Sequence, residues 1–148
     1  MIPSPRVLLL VDDDDAHLMV AQRAITRSQL GVEVRVARTG EEALRLLGLE
    51  GEPLSGAGTE PVLVMLDLWM PGMNGWDVLQ RIRAAHHAVP VVVVSSSGRP
   101  DDVRRSYDLG ANSYLVKRYE ADRPGGYMAD AARYWVELNE PPTPLLAI

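Results

Sequence analysis

The 148-residue sequence predicts an α/β domain: a doubly wound, five-stranded parallel sheet with helices on both faces. Three observations predict it. Short unbroken apolar runs recur along the chain, as expected of strands covered on both faces. The segments between them carry apolar residues at helical spacing. The two patterns alternate, which is the mark of βα units joined by crossovers.

Val7-Leu8-Leu9-Leu10-Val11 is the first run, and Leu18, Ala21 and Ile25 then share one helical face. Val32-Glu33-Val34-Arg35-Val36 alternates with period two, which predicts a strand with one wet face at a sheet edge. Ala43, Leu44 and Leu47 mark the second helix. Gly48 to Pro61 is rich in Gly, Pro and Glu without periodicity and predicts a long exposed loop. Val62-Leu63-Val64-Met65-Leu66 is the third strand, Val78, Leu79 and Ile82 the third helix, and Val91-Val92-Val93-Val94 the fourth strand. Val103 and Tyr107 mark a fourth helix stopped by Leu109-Gly110, before a fifth strand at Ser113-Tyr114-Leu115-Val116. Ala131, Trp135 and Leu138 mark the last helix, stopped by Asn139 and Pro141-Pro142. The domain is assigned to residues 1–140. Residues 141–148 form a proline-spaced tail that ends in Leu145, Leu146 and Ile148.

Composition narrows the function. The absence of cysteine excludes a disulfide scaffold, a thiolate zinc site and a cysteine nucleophile. Hydrophobic content of 47% beside 24% charged residues describes an ordered globular protein. Fifteen basic against 20 acidic side chains give a net charge of −5, so the bulk surface offers nucleic acid no attraction. The apolar run near the N-terminus is too short to span a membrane and lacks a cleavable signal pattern. The expected location is the cytoplasm, with neither a membrane nor a nucleic acid as partner.

In an open α/β sheet, ligands bind beyond the carboxyl ends of the strands. There the sequence places Asp12-Asp13-Asp14-Asp15 after the first strand, Asp67 after the third, Ser95-Ser96-Ser97 after the fourth and Lys117 after the fifth. Asp14 and Asp15 read as caps of the following helix. Asp12, Asp13 and Asp67 would repel one another strongly if brought together, and a hard divalent cation such as Mg²⁺ removes that penalty. Lys117 supplies a point charge and Ser95 a hydroxyl for phosphoryl oxygens. A carboxylate at the centre of such a group can act as nucleophile and form an acyl phosphate.

The runs Val7 to Asp14, Met65-Leu66-Asp67-Leu68-Trp69-Met70-Pro71-Gly72-Met73-Asn74-Gly75, Pro90 to Ser95 and Asp108 to Lys117 together resemble the receiver domain of two-component response regulators. The resemblance covers about Arg6 to Leu138. It implies a flavodoxin-like sheet in the order 2-1-3-4-5. It also implies that Asp67 accepts the phosphoryl group, and that Asp13, Asp67 and the backbone carbonyl of Trp69 hold Mg²⁺ with help from Asp12. Lys117 would pair with Asp67, and Ser95 and Tyr114 would form the switch pair. The implied function is a phosphorylation switch whose donor is a sensor histidine kinase. Output would run through protein contacts or onward transfer to a histidine phosphotransfer protein.

Two positions depart from that pattern. Arg118 follows Lys117 where the family has a cis proline; a cis bond without proline costs about 3 kcal/mol, which favours a trans bond and a differently shaped loop without fixing the isomer. Bulky Trp69, two residues after the acceptor, is expected to shield the acyl phosphate from water. The run Ala132 to Pro142, with Tyr134-Trp135, resembles single-domain response regulators that partner bacterial phytochromes, as does the insertion before the third strand. That resemblance implies a phytochrome-type kinase and a homodimer through Tyr134, Trp135, Leu138, Leu145 and Leu146. Apolar surface of this extent points the same way.

Two other readings compete. A haloacid-dehalogenase-type phosphatase would use Asp12 as nucleophile and Asp14 as acid/base, but it leaves the Asp67 motif unexplained and has Ala16 where that family carries Thr or Val. An inert receiver-shaped interaction module is the other. His17, on the first helix, reads as a surface histidine, and the adjacent pair His86-His87 presents no chelating face.

Overall fold

A computed structural model describes residues 6–52, 60–85 and 87–142. The elements are β1 (Arg6–Val11), α1 (Asp15–Arg27), β2 (Val32–Ala37), α2 (Gly40–Leu46), β3 (Leu63–Leu66) and α3 (Gly75–Ala84). There follow β4 (Val91–Ser95), α4 (Pro100–Asp108), β5 (Ser113–Val116), α5 (Gly126–Arg133) and a π-helical turn at Tyr134–Leu138. Five parallel strands pair in the order β2-β1-β3-β4-β5, as the resemblance implied.

The three central strands are apolar on both faces because helices cover both. Leu9, Val11, Val64, Leu66, Val91 and Val93 pack with Ala43, Leu44, Val78, Leu79 and Ile82 of α2 and α3. Their alternating neighbours Leu8, Leu10, Leu63, Met65, Val92 and Val94 pack with Leu18, Ala21, Ile25, Met128 and Ala132 of α1 and α5. The alternating strand β2 lies at an edge, half-buried, as its pattern predicted. Among the described residues no helix is long and apolar enough to cross a membrane. Residues 53–59 of the expected loop lie outside the described residues.

Two helical faces differ from expectation. In α4 the buried residue is Ser106, while Tyr107 is 48% exposed. The Ser106 hydroxyl accepts a bond from Trp76 Nε1 at 3.0 Å and donates to the Asp102 carbonyl at 2.8 Å, so a polar side chain sits inside without an unmet bond. At the C-terminal end the packed stripe is Met128, Ala132 and Val136, and Leu138 is 71% exposed. Ala131 and Trp135 only flank it. The large side chains Trp135 and Leu138 drew the expected stripe one position away from smaller residues that face the core.

Register brings the strand ends level: Val11 pairs with both Ala37 and Leu66, and Leu66 pairs with Val93. Gly75 then lets α3 begin directly beneath the β3 end, because a Cβ there would collide with the Asp67 carbonyl oxygen. Its N–H donates to the Leu68 carbonyl at 2.9 Å. The turn from Asp67 to Asn74 is closed by a capping box between Asn74 and Asp77.

Candidate functional site

Parallel ladders continue one residue past the strands and aim the site residues. Asp12 N–H donates to Ala37 O at 3.0 Å, Asp67 N–H to Val11 O at 2.9 Å and Lys117 N–H to Ser95 O at 2.8 Å. Asp12 and Asp67 are thereby buried, 4% and 6% exposed, and Asp13 stands at the open side. One carboxylate oxygen from each of the three lies within 4.8 Å of the others.

Lys117 ties the two buried acids together. Its Nζ donates to Asp12 Oδ2 at 3.0 Å and to Asp67 Oδ2 at 3.3 Å. Asp67 Oδ1 accepts the Trp69 amide at 3.3 Å, and Asp12 Oδ1 accepts the Asp14 amide at 2.9 Å. Asp12 Oδ2 also faces His17 Nδ1 at 2.8 Å. The two acids therefore differ in how strongly the site favours their charged forms. Burial and the neighbouring Asp12 charge push the Asp67 carboxyl up to about 6, against the pull of Lys117. Burial also opposes ionisation of Asp12, but bonds from His17, the Asp14 amide and Lys117 outweigh it and hold that carboxyl well below the usual range. Burial pulls the Lys117 ammonium down; the charges of Asp67 and Asp12 outweigh that and raise it. Asp12 and Lys117 form a fixed ion pair, and Asp67 is the acid whose charge lacks full compensation.

The donor set fits a hard divalent cation. Three carboxylate oxygens converge, one acid is open to solvent, and the amides and Lys117 already orient the other two. An added positive charge here would relieve the repulsion that raises Asp67.

On the other side Ser95 is fully buried, and its Oγ accepts the Ser97 amide at 3.1 Å. Ser97 is a junction: its carbonyl accepts the Tyr114 hydroxyl at 2.6 Å, and its own hydroxyl donates to Asp102 Oδ2 at 2.6 Å. The Tyr114 ring is partly buried against the core. The Trp69 indole is 51% exposed and lies edge-on to Trp76 at 5.1 Å. No cis peptide bond occurs among the described residues, so the Lys117–Arg118 bond, whose isomer the sequence leaves open, is trans. Tyr134 and Leu138 are exposed, and Trp135 is half-buried with its ring edge-on to Tyr134. Leu145 and Leu146 lie outside the described residues.

The expectation for His17 is corrected. It is not a plain surface residue: its side chain is 19% exposed, with Nδ1 on Asp12 and Nε2 at 3.0 Å from the Tyr127 hydroxyl. The available signal was positional. Asp14 caps α1 through Ala16 N and His17 N, so His17 falls in the first turn and points back to the strand end. Its other partner, Tyr127, is 110 residues away and left no mark in the local pattern. The cap also uses the carboxylate that a phosphatase reading needs as acid/base.

Residues 8–123 match the family described as response regulator receiver domain. Over 143 residues the chain is 36% identical to the probable methanogenesis regulatory protein FilR2 of Methanothrix harundinacea, covering 95% of this chain and 90% of that protein. It is 36% identical to response regulator Rcp1 of Synechocystis over 115 residues, 76% of this chain and 77% of Rcp1. The crystal structure of the Mn²⁺-bound form of Rcp1 superposes with a TM-score of 0.82 at 31% identity, covering 94% of this chain and all of that one. The phosphorylated cyanobacterial phytochrome response regulator RcpA gives a TM-score of 0.83 at 31% identity, covering 95% of this chain and all of RcpA.

Proposed function

This chain belongs to the response regulator receiver domain family, and from that premise we propose that it accepts a phosphoryl group on Asp67 from the phosphohistidine of a sensor histidine kinase. The observation that carries the reading is the Lys117 ammonium shared between Asp12 and Asp67 beside the third acid, Asp13. A phosphoryl acceptor needs a positioned carboxylate and fixed positive charge more than covalent assistance.

An Asp67 oxygen attacks phosphorus in line. The new O–P bond forms as the donor's N–P bond breaks, and the imidazole nitrogen leaves with that electron pair and regains a proton from solvent. Lys117 exchanges part of its bond with Asp67 for a phosphoryl oxygen. The Ser95 hydroxyl, now accepting from the Ser97 amide, donates to another. Mg²⁺ at Asp12, Asp13, Asp67 and the Trp69 carbonyl would supply the remaining positive charge. Movement of Ser95 loosens the Ser97 junction, to which Tyr114 and α4 are both tied, and shifts the population of the α4–β5–α5 face.

The likeness to Rcp1 and RcpA supports a phytochrome-type kinase as donor. Domain limits of 1–140, with 141–148 as part of a homodimer contact that includes Tyr134, Trp135 and Leu138, belong to the same reading. So does onward transfer to a histidine phosphotransfer protein. Incubation with acetyl phosphate and Mg²⁺, followed by peptide mass spectrometry, tests the core claim. One phosphoryl group on Asp67, absent from Asp67→Asn, is the expected result. Label on Asp12 would establish the phosphatase chemistry instead, and no adduct together with no response to beryllofluoride would establish an inert module.

A further inference from the structure

His17 and Tyr127 lie outside the set that the receiver resemblance assigned, yet they run from the acidic cluster into α5. The hydrogen bonds have one consistent direction. Asp12 is ionised and only accepts, so His17 Nδ1 carries the proton and donates to Oδ2 at 2.8 Å. In the tautomer that carries its proton at Nδ1, His17 accepts at Nε2, and the Tyr127 hydroxyl donates to it across 3.0 Å. Arg118 stands where the resembling family has proline, which has no cation to lay against an aromatic ring. The Arg118 guanidinium carbon lies 5.4 Å from the centre of the Tyr127 ring.

The chain therefore closes a loop. Arg118 is the neighbour of Lys117, and Lys117 bonds the same Asp12 oxygen that His17 holds. We propose that His17 and Tyr127 are positioning residues: together they fix the Asp12 carboxylate for cation capture and anchor the Lys117–Arg118 loop in place of a proline. Asp12 would otherwise turn about its side-chain bonds. With Oδ1 on the Asp14 amide and Oδ2 on two cations or donors, it has one orientation before any metal arrives. Acids and imidazoles that support metal ligands act in this way elsewhere, and their loss typically weakens metal affinity by roughly tenfold or more.

The inference rests on the acidic cluster being a cation site, and its test does not need phosphorylation. Mn²⁺ binding is followed by the electron paramagnetic resonance signal of the free ion, with circular dichroism as a folding control. His17→Phe, which removes the donor, is expected to weaken Mn²⁺ binding roughly tenfold. Tyr127→Phe, which removes one oxygen, is expected to weaken it roughly threefold. His17→Asn returns a donor at the Nδ1 position without reaching Tyr127 and should match Tyr127→Phe. In acetyl phosphate assays the loss should fall on the Mg²⁺ concentration for half-maximal rate, with the rate at saturating Mg²⁺ restored. Wild-type or tighter Mn²⁺ affinity in Tyr127→Phe overturns the relay, whether or not His17→Phe folds. A wild-type protein that binds Mn²⁺ but never labels on Asp67 sinks the acceptor reading and leaves the relay standing.

Discussion

The two flanks of the strand-end site are built from different interactions. On the α1–α5 flank a partly buried ion pair, Asp12 with Lys117, is braced by His17 and Tyr127, and every oxygen of Asp12 is occupied. On the β4–α4 flank the links are single bonds between neutral partners or to one acid: Ser97 amide to Ser95, Tyr114 to the Ser97 carbonyl, Ser97 hydroxyl to Asp102. Ions removed from water are costly to rearrange, whereas a neutral bond can be exchanged for another at little net change. The charged flank is thus the fixed frame, and the neutral flank is the side free to answer a new phosphate. Asp67 lies between them, held by one amide and one shared ammonium.

The largest expected effect comes from removing the uncompensated charge. The Asp67 carboxyl is raised from 3.8 to about 6, so folding disfavours its charged form relative to the unfolded chain. Its contribution to stability is therefore present at low pH and lost as pH rises from about 4 through about 6. By linkage the loss at neutral pH is on the order of 3 kcal/mol for the metal-free protein. Asp67→Asn should accordingly raise metal-free stability at pH 7 by up to that amount, with the gain vanishing below about pH 4. Saturating Mg²⁺ should narrow the gap, because the ion stabilises the charged wild-type form. Urea unfolding across pH, with and without Mg²⁺, measures this; a variant no more stable than wild type at pH 7 would contradict the frame.

How far this contrast could be read from the chain depends on which interaction is local. Strand runs such as Val91 to Val94 and the acids after β1 are written in consecutive residues, and all five strands were legible from them. Asp12, Asp13, Asp67 and Lys117 were legible because topology alone brings strand ends together, and the register confirms it for the strands. Ser106 was not, since its burial depends on the Trp76 indole reaching it from another helix. His17 was missed for the same reason, its partner Tyr127 being remote in sequence. Apolar periodicity finds what water rejects, and it has no means of finding a polar side chain whose partners arrive only on folding.

On the neutral flank the expected effect is smaller. Helix α4 has no side-chain cap at Arg99. The Ser97 hydroxyl instead ties the preceding loop to the first turn: it donates to Asp102 at 2.6 Å and accepts the Arg99 amide at 3.3 Å. Ser97→Ala should cost about 1 kcal/mol, the worth of such bonds. Unlike the Asp67 effect, this loss should be the same with and without Mg²⁺, since no proposed ligand is touched. Paired urea titrations separate the two, and an Mg²⁺-dependent loss in Ser97→Ala would merge the flanks into one cooperative unit.

The smallest change in stability, and the finest probe of the boundary, is at Trp69. The indole is half exposed and gains about 0.5 kcal/mol from its edge contact with Trp76, so Trp69→Ala should barely alter unfolding. The bond to Asp67 comes from the Trp69 backbone amide, which any side chain retains. Acceptance of the phosphoryl group should therefore proceed as in wild type. What changes is shelter: without the ring, water reaches the acyl phosphate more freely. A barrier lowered by about 1 kcal/mol corresponds to roughly fivefold faster dephosphorylation. Decay of phosphorylated protein after donor removal reads this directly, and an unchanged or slower decay would assign the lifetime to the two flanks alone.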